Sequence, residues 1–170
     1  EVFDVTCNKA VFNNASIINS RFEKTFLTDV EFTNCNFSNT TFDNCSFIRC
    51  EFNNCKLTGC NFIENVLFDI RFVDSNMGYA NISMSNLRGI FFNNTSIRSG
   101  SLQGNKVKNI NFKEADLMGT QFFKTSLNGI DLSNSNIEQI AVSLEDIKGA
   151  KINQMQAIDL MYLLGVKVVE

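Results

Sequence analysis

The sequence predicts an all-β solenoid, a four-sided coil whose interior is one continuous apolar ladder. Three observations carry this. Every fifth residue from Phe12 to Ile152 is apolar, opening with Phe12, Ile17, Phe22, Leu27, Phe32, Phe37 and Phe42. At a 44% apolar composition such a run arises by chance roughly once in ten billion trials. The residue two places before each is small or medium, as in Ala10, Ala15, Ser20, Thr25, Val30, Cys35, Thr40 and Cys45. The residue two places after is mostly Asn, Asp or Gly: Asn14, Asn19, Asp29, Asn34, Asn39, Asn44, Asn54 and Gly59.

Residues two apart on an extended chain face the same side, so the large and the small column both point inward. Their neighbours, mostly Asn, Ser, Thr, Glu, Lys and Arg, then face solvent. Asn, Asp and Gly tolerate the positive φ of a corner. Each five-residue unit is therefore one short wall and one corner. The number of walls follows from a longer period: the small column enlarges every twentieth residue, at Val30, Cys50, Ile70, Ile90, Ile110 and Ile130. The large residues that follow, Phe32, Phe52, Phe72, Phe92 and Phe112, form one Phe wall. A second Phe series at Phe22, Phe42, Phe62 and Phe122 lies opposite, with mainly aliphatic walls between. Stacking at the usual strand spacing of about 4.8 Å gives a rod roughly 35 Å long.

The chain has no Pro, in keeping with a ladder that uses nearly every backbone N–H. The unbroken register predicts one solenoid over residues 1–153, followed by a cap over 154–170. No apolar run is long enough for a membrane span and no signal-peptide pattern opens the chain, so no membrane contact and a cytoplasmic location are expected. The chain opens on Glu1 rather than Met, which points to a short upstream piece. Five of the six Cys (Cys35, Cys45, Cys50, Cys55 and Cys60) fall in the inward small column, and Cys7 falls in the large one. Cys45, Cys50, Cys55 and Cys60 complete one layer, the arrangement of a four-thiolate site. The favoured reading is that they act as small apolar residues held apart by Phe and Leu, with no metal, no cofactor and no disulfide.

Beyond Ile152 the period fades. Residues 155–164 are strong helix formers with no corner residue, Gly165 is a helix stop, and Val166, Lys167, Val168 and Val169 read as a short strand. A solenoid end needs a cover. This cap carries more apolar residues than one covering stripe requires, so Met155, Ile158, Met161, Tyr162, Leu164, Val166 and Val168 are expected to form a homodimer contact.

Ala115-Asp116-Leu117-Met118-Gly119, Ser75-Asn76-Met77-Gly78-Tyr79 and Ser85-Asn86-Leu87-Arg88-Gly89 resemble the motif of the pentapeptide-repeat family, roughly Ala-Asp/Asn-Leu/Phe-x-x. The resemblance spans essentially the whole chain and implies a right-handed quadrilateral β-helix. Gln156-Ala157, Leu160-Met161, Leu164-Gly165 and the Val-rich end look like the C-terminal helix and strand of the Qnr group. That group binds bacterial DNA gyrase and topoisomerase IV and lessens quinolone toxicity. In it this segment makes a head-to-head dimer, and an acidic rod stands in for DNA. The Gram-negative Qnr proteins carry projecting loops that matter for protection. Here the repeat leaves no room for loops, which aligns the chain with loop-free members and leaves protection and inhibition both open.

The net charge is only −3. Sorted by wall, Glu31, Glu51, Asp74, Glu114 and Asp131 outweigh Arg71, Lys113 and Lys151, making this wall the one expected to imitate phosphates. The wall through Leu27 and Leu87 is net basic, with Arg49, Arg88, Lys106, Lys108 and Lys148 against Asp29, Asp69 and Asp146. Outward apolar residues Ile48, Ile63, Val66 and Phe68 gather near one corner, either as a partner site or as packing under an upstream segment. Catalysis is not expected: His is absent, and the inward Asn65, Asn105 and Glu145 read as polar breaks in the core. A pI near 5 argues against nucleic-acid binding. Two functions remain open, a DNA-mimicking topoisomerase partner that modulates quinolone susceptibility and a scaffold for some other protein.

Overall fold

A computed structural model describes residues 1–167 and residue 169. The chain is a right-handed parallel β-solenoid whose coils pair at a twenty-residue register. Phe12 lies over Phe32, Phe32 over Phe52, Phe52 over Phe72, and Phe72 over Phe92. Two walls are formed by one bent strand per coil: β2 (Thr6–Asn13), β4 (Phe26–Thr33), β8 (Val66–Val73), β9 (Asn86–Asn93) and β10 (Lys106–Lys113). In the third coil the same path divides into β6 (Ser46–Ile48) and β7 (Glu51–Asn53). On a third wall β1 (Val2–Phe3), β3 (Arg21–Glu23) and β5 (Thr41–Asp43) stack in order. The fourth is a column of single bridges, Ser16 to Asn36 to Lys56 to Asn76 and onward.

The corners carry the fold. Every fifth residue from Asp4 to Gly129 has positive φ. Asn and Asp fill many of these positions, but Lys9, Lys24, Glu64, Tyr79 and Met84 adopt the same conformation. Each of those costs roughly 1–2 kcal/mol in isolation and is held by the coils above and below. At Gly89 the reason for glycine is space, because an added Cβ would lie 2.2 Å from Asp69 Oδ1.

Inside, six rings from Phe12 to Phe112 stack down one wall at centroid separations of 4.9–5.2 Å. Phe22, Phe42 and Phe62 stack opposite. The small column does more than fill space. Its hydroxyl, thiol or amide donates to the carbonyl of the large residue twenty-three places earlier: Thr40 to Ile17, Cys60 to Phe37, Ser75 to Phe52, Thr95 to Phe72 and Thr125 to Leu102. Asn65 and Asn105 are fully used: each amide donates to such a carbonyl (Phe42, Ile82) and accepts from a backbone N–H one coil back (Cys45, Ser85).

The late coils depart from expectation in three ways. Glu145 is exposed rather than inward. Ser143 caps a one-turn helix, α1 (Leu144–Ile147), which rotates the carboxylate outward. The helix of the cap is shorter than the composition suggests: α2 covers Gln154–Asp159, and Met161–Leu164 tightens into a 3₁₀ turn closed by Gly165 at φ 69°. Val166, Lys167 and Val169 form no strand, and Val168 lies outside the described residues.

The third departure is a break in the ladder. Before Phe122 only the corners after Phe37, Leu57, Met77, Ile97 and Leu117, one column, close with a bond from the residue three places on. From Phe122 every corner does so, at Thr125, Ile130, Ser135 and Ile140. No backbone bond joins β10 to residues 126–133 among the described residues, although bonding resumes on the other two walls. The five-residue columns run on, but the sheet stops at β10.

Replacing Phe52 by Ala removes a ring with no exposed surface, stacked between Phe32 and Phe72. Denaturant unfolding should show a loss of about 3–5 kcal/mol. Phe12→Ala, at the half-open first coil, should cost clearly less.

Candidate protein-interaction surfaces

The thiol layer is not a metal centre in this arrangement. Cys45 donates to Phe22 O, Cys50 to Leu27 O, Cys55 to Phe32 O and Cys60 to Phe37 O, so the four sulfurs point to separate carbonyls around a centre filled with rings. No cluster of metal-ligating side chains occurs among the described residues. Burial raises these thiols, Cys55 to about 11 and Cys60 to about 12. No helix among the described residues is long and apolar enough to cross a membrane.

Of the acidic wall, the fold brings together Glu31 and Glu51, which are neighbours in register. The next rung is Arg71, whose Nε lies 3.4 Å from Glu51 and whose guanidinium lies over the Phe91 ring. Asp74 and Glu114 stand at corner positions two coils apart, with Asn94 between them and bonded to Asp74. Asp131 is turned onto its own loop, where hydrogen bonds from the Ser133 hydroxyl and N–H hold its carboxyl below the usual range. The wall is thus a pair of glutamates and three separated acids.

On the basic wall much of the opposing charge is spent locally. Arg49 makes a two-pronged contact with Asp29, which lowers that carboxyl, and Asp146 accepts from Ser143 and from the Lys124 N–H. Arg88, Lys106, Lys108 and Lys148 form no ion pair among the described residues. The apolar corner separates into two sites. Ile48 and Phe68 are register neighbours beside the exposed Val66, with Arg88 stacked 5.0 Å above Phe68. Ile63 faces the adjoining wall, where it lines a shallow hollow with Met84 and Phe123.

The cap is locked on by polar side chains. Buried Gln156 accepts from Asn153 N–H and donates to the carbonyls of Leu132 and Ser135, taking over the role of the small column. The Tyr162 hydroxyl bonds to Ile140 O. Met155, Ile158, Tyr162, Leu164 and Val166 remain exposed at the rod's end, and Met161 lines an apolar hollow with Leu144 and Leu160. The Gln156 lock has a sequence signal, an Asn153-x-x-Gln156 capping box, which hydrophobic counting passes over.

The stacked coils make a repeat-built rod with flat outward walls. The chain belongs to the pentapeptide-repeat family: the family model for the pentapeptide repeat region matches residues 24–99 and 45–122, and that for pentapeptide repeats in eight copies matches 106–139. No curated protein sequence matches it significantly. Among solved structures it is similar to a trypsin-treated form of QnrB1, described as a plasmid-mediated fluoroquinolone resistance protein. Identity is 15% over 97% of this chain and 100% of that one, with a TM-score of 0.50. A second trypsin-treated QnrB1 gives 18% identity, 99% coverage of both chains and a TM-score of 0.49. HetL, involved in heterocyst differentiation regulation in the cyanobacterium Nostoc sp. strain PCC 7120, gives 14% identity, coverage of 90% and 85%, and a TM-score of 0.42. At these identities the likeness is one of fold.

In the folded protein at about pH 8, a thiol reagent should titrate Cys7 and spare the five buried cysteines, all six reacting after unfolding. Because Cys55 and Cys60 titrate higher when folded than the ordinary 9.0, the unfolded chain loses those protons first. Their contribution is therefore intact below pH 9.0, and stability should fall as pH rises from there toward 12.

Proposed function

We propose that this chain is a topoisomerase-binding protein of the Qnr type: a homodimeric rod that imitates DNA on gyrase or topoisomerase IV and so modulates quinolone susceptibility. The observation that carries the reading is the rod itself with its dimer-ready end. Coils spaced about 4.8 Å apart build a straight body roughly 35 Å long, which corresponds to about ten base pairs at 3.4 Å each. Its cap leaves Leu164 62% and Met155 71% exposed. Pairing through Met155, Ile158, Met161, Tyr162, Leu164 and Val166 covers that surface and doubles the rod. Glu31 and Glu51 supply the adjacent negative charges, with Asp74, Glu114 and Asp131 farther along. With Arg71 set among them the rod is a sparse mimic, attracting a basic saddle by local field rather than net charge. The protein acts by binding rather than by chemistry.

A second reading has its own support in the strip of Ile48, Val66 and Phe68, which fits a scaffold for a different protein partner. The two are separated by one set of assays. Purified protein should alter gyrase supercoiling and shift the fluoroquinolone tolerance of a host cell. Glu31→Lys with Glu51→Lys should weaken both effects about tenfold or more, since the two-fold doubles each reversed charge. Phe68→Asp should leave them unchanged. No effect of the unmodified protein, at concentrations well above its dimer constant, rejects the topoisomerase reading. Loss through Phe68→Asp with the glutamate pair indifferent would favour the strip. Leu164→Asp should convert the dimer to monomer, as read by light scattering.

A further inference from the structure

One wall of the rod changes character along its length. Its outward residues stand in two columns, one running Phe26, Ser46, Val66, Asn86 and Lys106 and the other Thr28, Ile48, Phe68, Arg88 and Lys108. The first three rungs hold an apolar strip: Phe26 is 46% and Val66 44% exposed, and Ile48 and Phe68 are half-buried beside them. The next two rungs are basic. Arg88, Lys106 and Lys108 are exposed, and none has an ion pair among the described residues. The corners that bound these two rungs are Met84, Gly89, Gly104 and Asn109, so neither rung brings a carboxylate to this wall. Where the halves meet, the Arg88 guanidinium lies over the Phe68 ring, 5.0 Å from its centroid. The backbone of β4, β6, β8 and β9 is paired on both sides, so this wall meets a partner with side chains.

We infer that this wall is a docking surface for an acidic amphipathic helix of a partner protein. The helix lies along the rod, with apolar side chains over Phe26, Ile48, Val66 and Phe68 and carboxylates over Arg88, Lys106 and Lys108. The inference rests on the reading of the Ile48, Val66 and Phe68 strip as a partner site, and it adds the chemistry of that partner. Three unpaired cations at one end of an apolar strip call for carboxylates at one end of an apolar stripe, not along its whole length. The Phe68–Arg88 stack prepares the junction, because a guanidinium held on a ring keeps its N–H edge available to a carboxylate. Five rungs at about 4.8 Å span roughly 19 Å, the length of about 13 helical residues at 1.5 Å each. Side chains at i, i+3 and i+4 of such a helix form one stripe that follows the two columns. Carboxylates in the first turn suit the helix dipole, which makes the acidic end the N-terminal one. A lipid surface fits less well, because Ile48 and Phe68 are half-buried in the wall and do not reach into acyl chains. A nucleic acid would leave the apolar half without a partner.

The probe is the fluorescein-labelled peptide Asp-Glu-Ala-Glu-Glu-Ala-Lys-Leu-Leu-Ala-Lys-Leu-Ala-Lys with a blocked C-terminus, followed by fluorescence anisotropy with the full chain. It should bind in the micromolar range and shift the NMR signals of Ile48, Val66 and Arg88. Arg88→Glu with Lys108→Glu, and separately Phe68→Asp, should each weaken it at least about tenfold. Arg88 and Lys108 are exposed, so the first variant keeps its fold, and circular dichroism checks both. Replacing the peptide's acids by Asn and Gln, or its leucines by Ser, should weaken binding to the same degree. No binding up to millimolar peptide overturns the proposal. Equal binding of the uncharged peptide, still lost with Phe68→Asp, overturns the acidic partner and leaves the apolar strip as a site. Binding indifferent to Phe68→Asp overturns both. Tighter binding of phosphatidylglycerol vesicles or of an eight-nucleotide oligo-dT than of the peptide would make the wall a general polyanion patch, and overturns the proposal too.

Discussion

The structure depends on a single backbone constraint, the return of φ to positive values at every fifth residue. A chain that turns this often presents two inward side chains per wall, one large and one small, and closes on itself after four walls. Everything else is a consequence of stacking identical squares. The twenty-residue register places like over like, so phenylalanines form columns. The small residue of one coil meets the large residue's carbonyl in the coil before. Cys, Ser, Thr and Asn are interchangeable there because each supplies a short donor at that point, which size alone does not explain. The strain of a Lys, Tyr or Met at a positive-φ corner is then shared with neighbouring coils that hold it in place.

The same regularity sets how the surface works. A four-sided rod has flat walls whose charges fall into columns, so each charge is judged by its vertical neighbours. Arg49 between Asp29 and Asp69, and Arg71 below Glu51, show that wall totals overstate the local field. Exposed pairs of this kind contribute little to stability. What they decide is where uncompensated charge remains, namely at Glu31 and around Arg88, Lys106 and Lys108. A stacked coil pairs its walls' backbone from coil to coil, and that pairing stops at the capped end and below β10.

The stop of the sheet at β10 coincides with the first closed corners on these two walls, at Ile130 and Ser135. The core survives the mismatch because Leu127 and Leu132 still fill the centre. The columns of large residues therefore pass through the break unmarked.

Much of this protein was legible from its residues. The apolar column from Phe12 to Ile152, the Asn and Asp corners and the twenty-residue enlargement at Val30, Cys50 and Ile70 define the coil, its four walls and its opposed Phe ladders. Periodicity records which way a side chain points, and that is a property of local backbone. The departures are those of non-local geometry. Glu145 sits in an inward register but is turned outward by a helical turn that Ser143 caps. Gln156 reads as an ordinary helix residue until the carbonyls of Leu132 and Ser135 are placed beside it. Arg71 cancels Glu51 only because twenty residues of chain bring them onto adjacent rungs. Sequence alone determined the coil, because the repeat is written into every five residues. The tertiary structure alone decided which charges remain free and where the ladder opens, because both depend on how one coil meets the next.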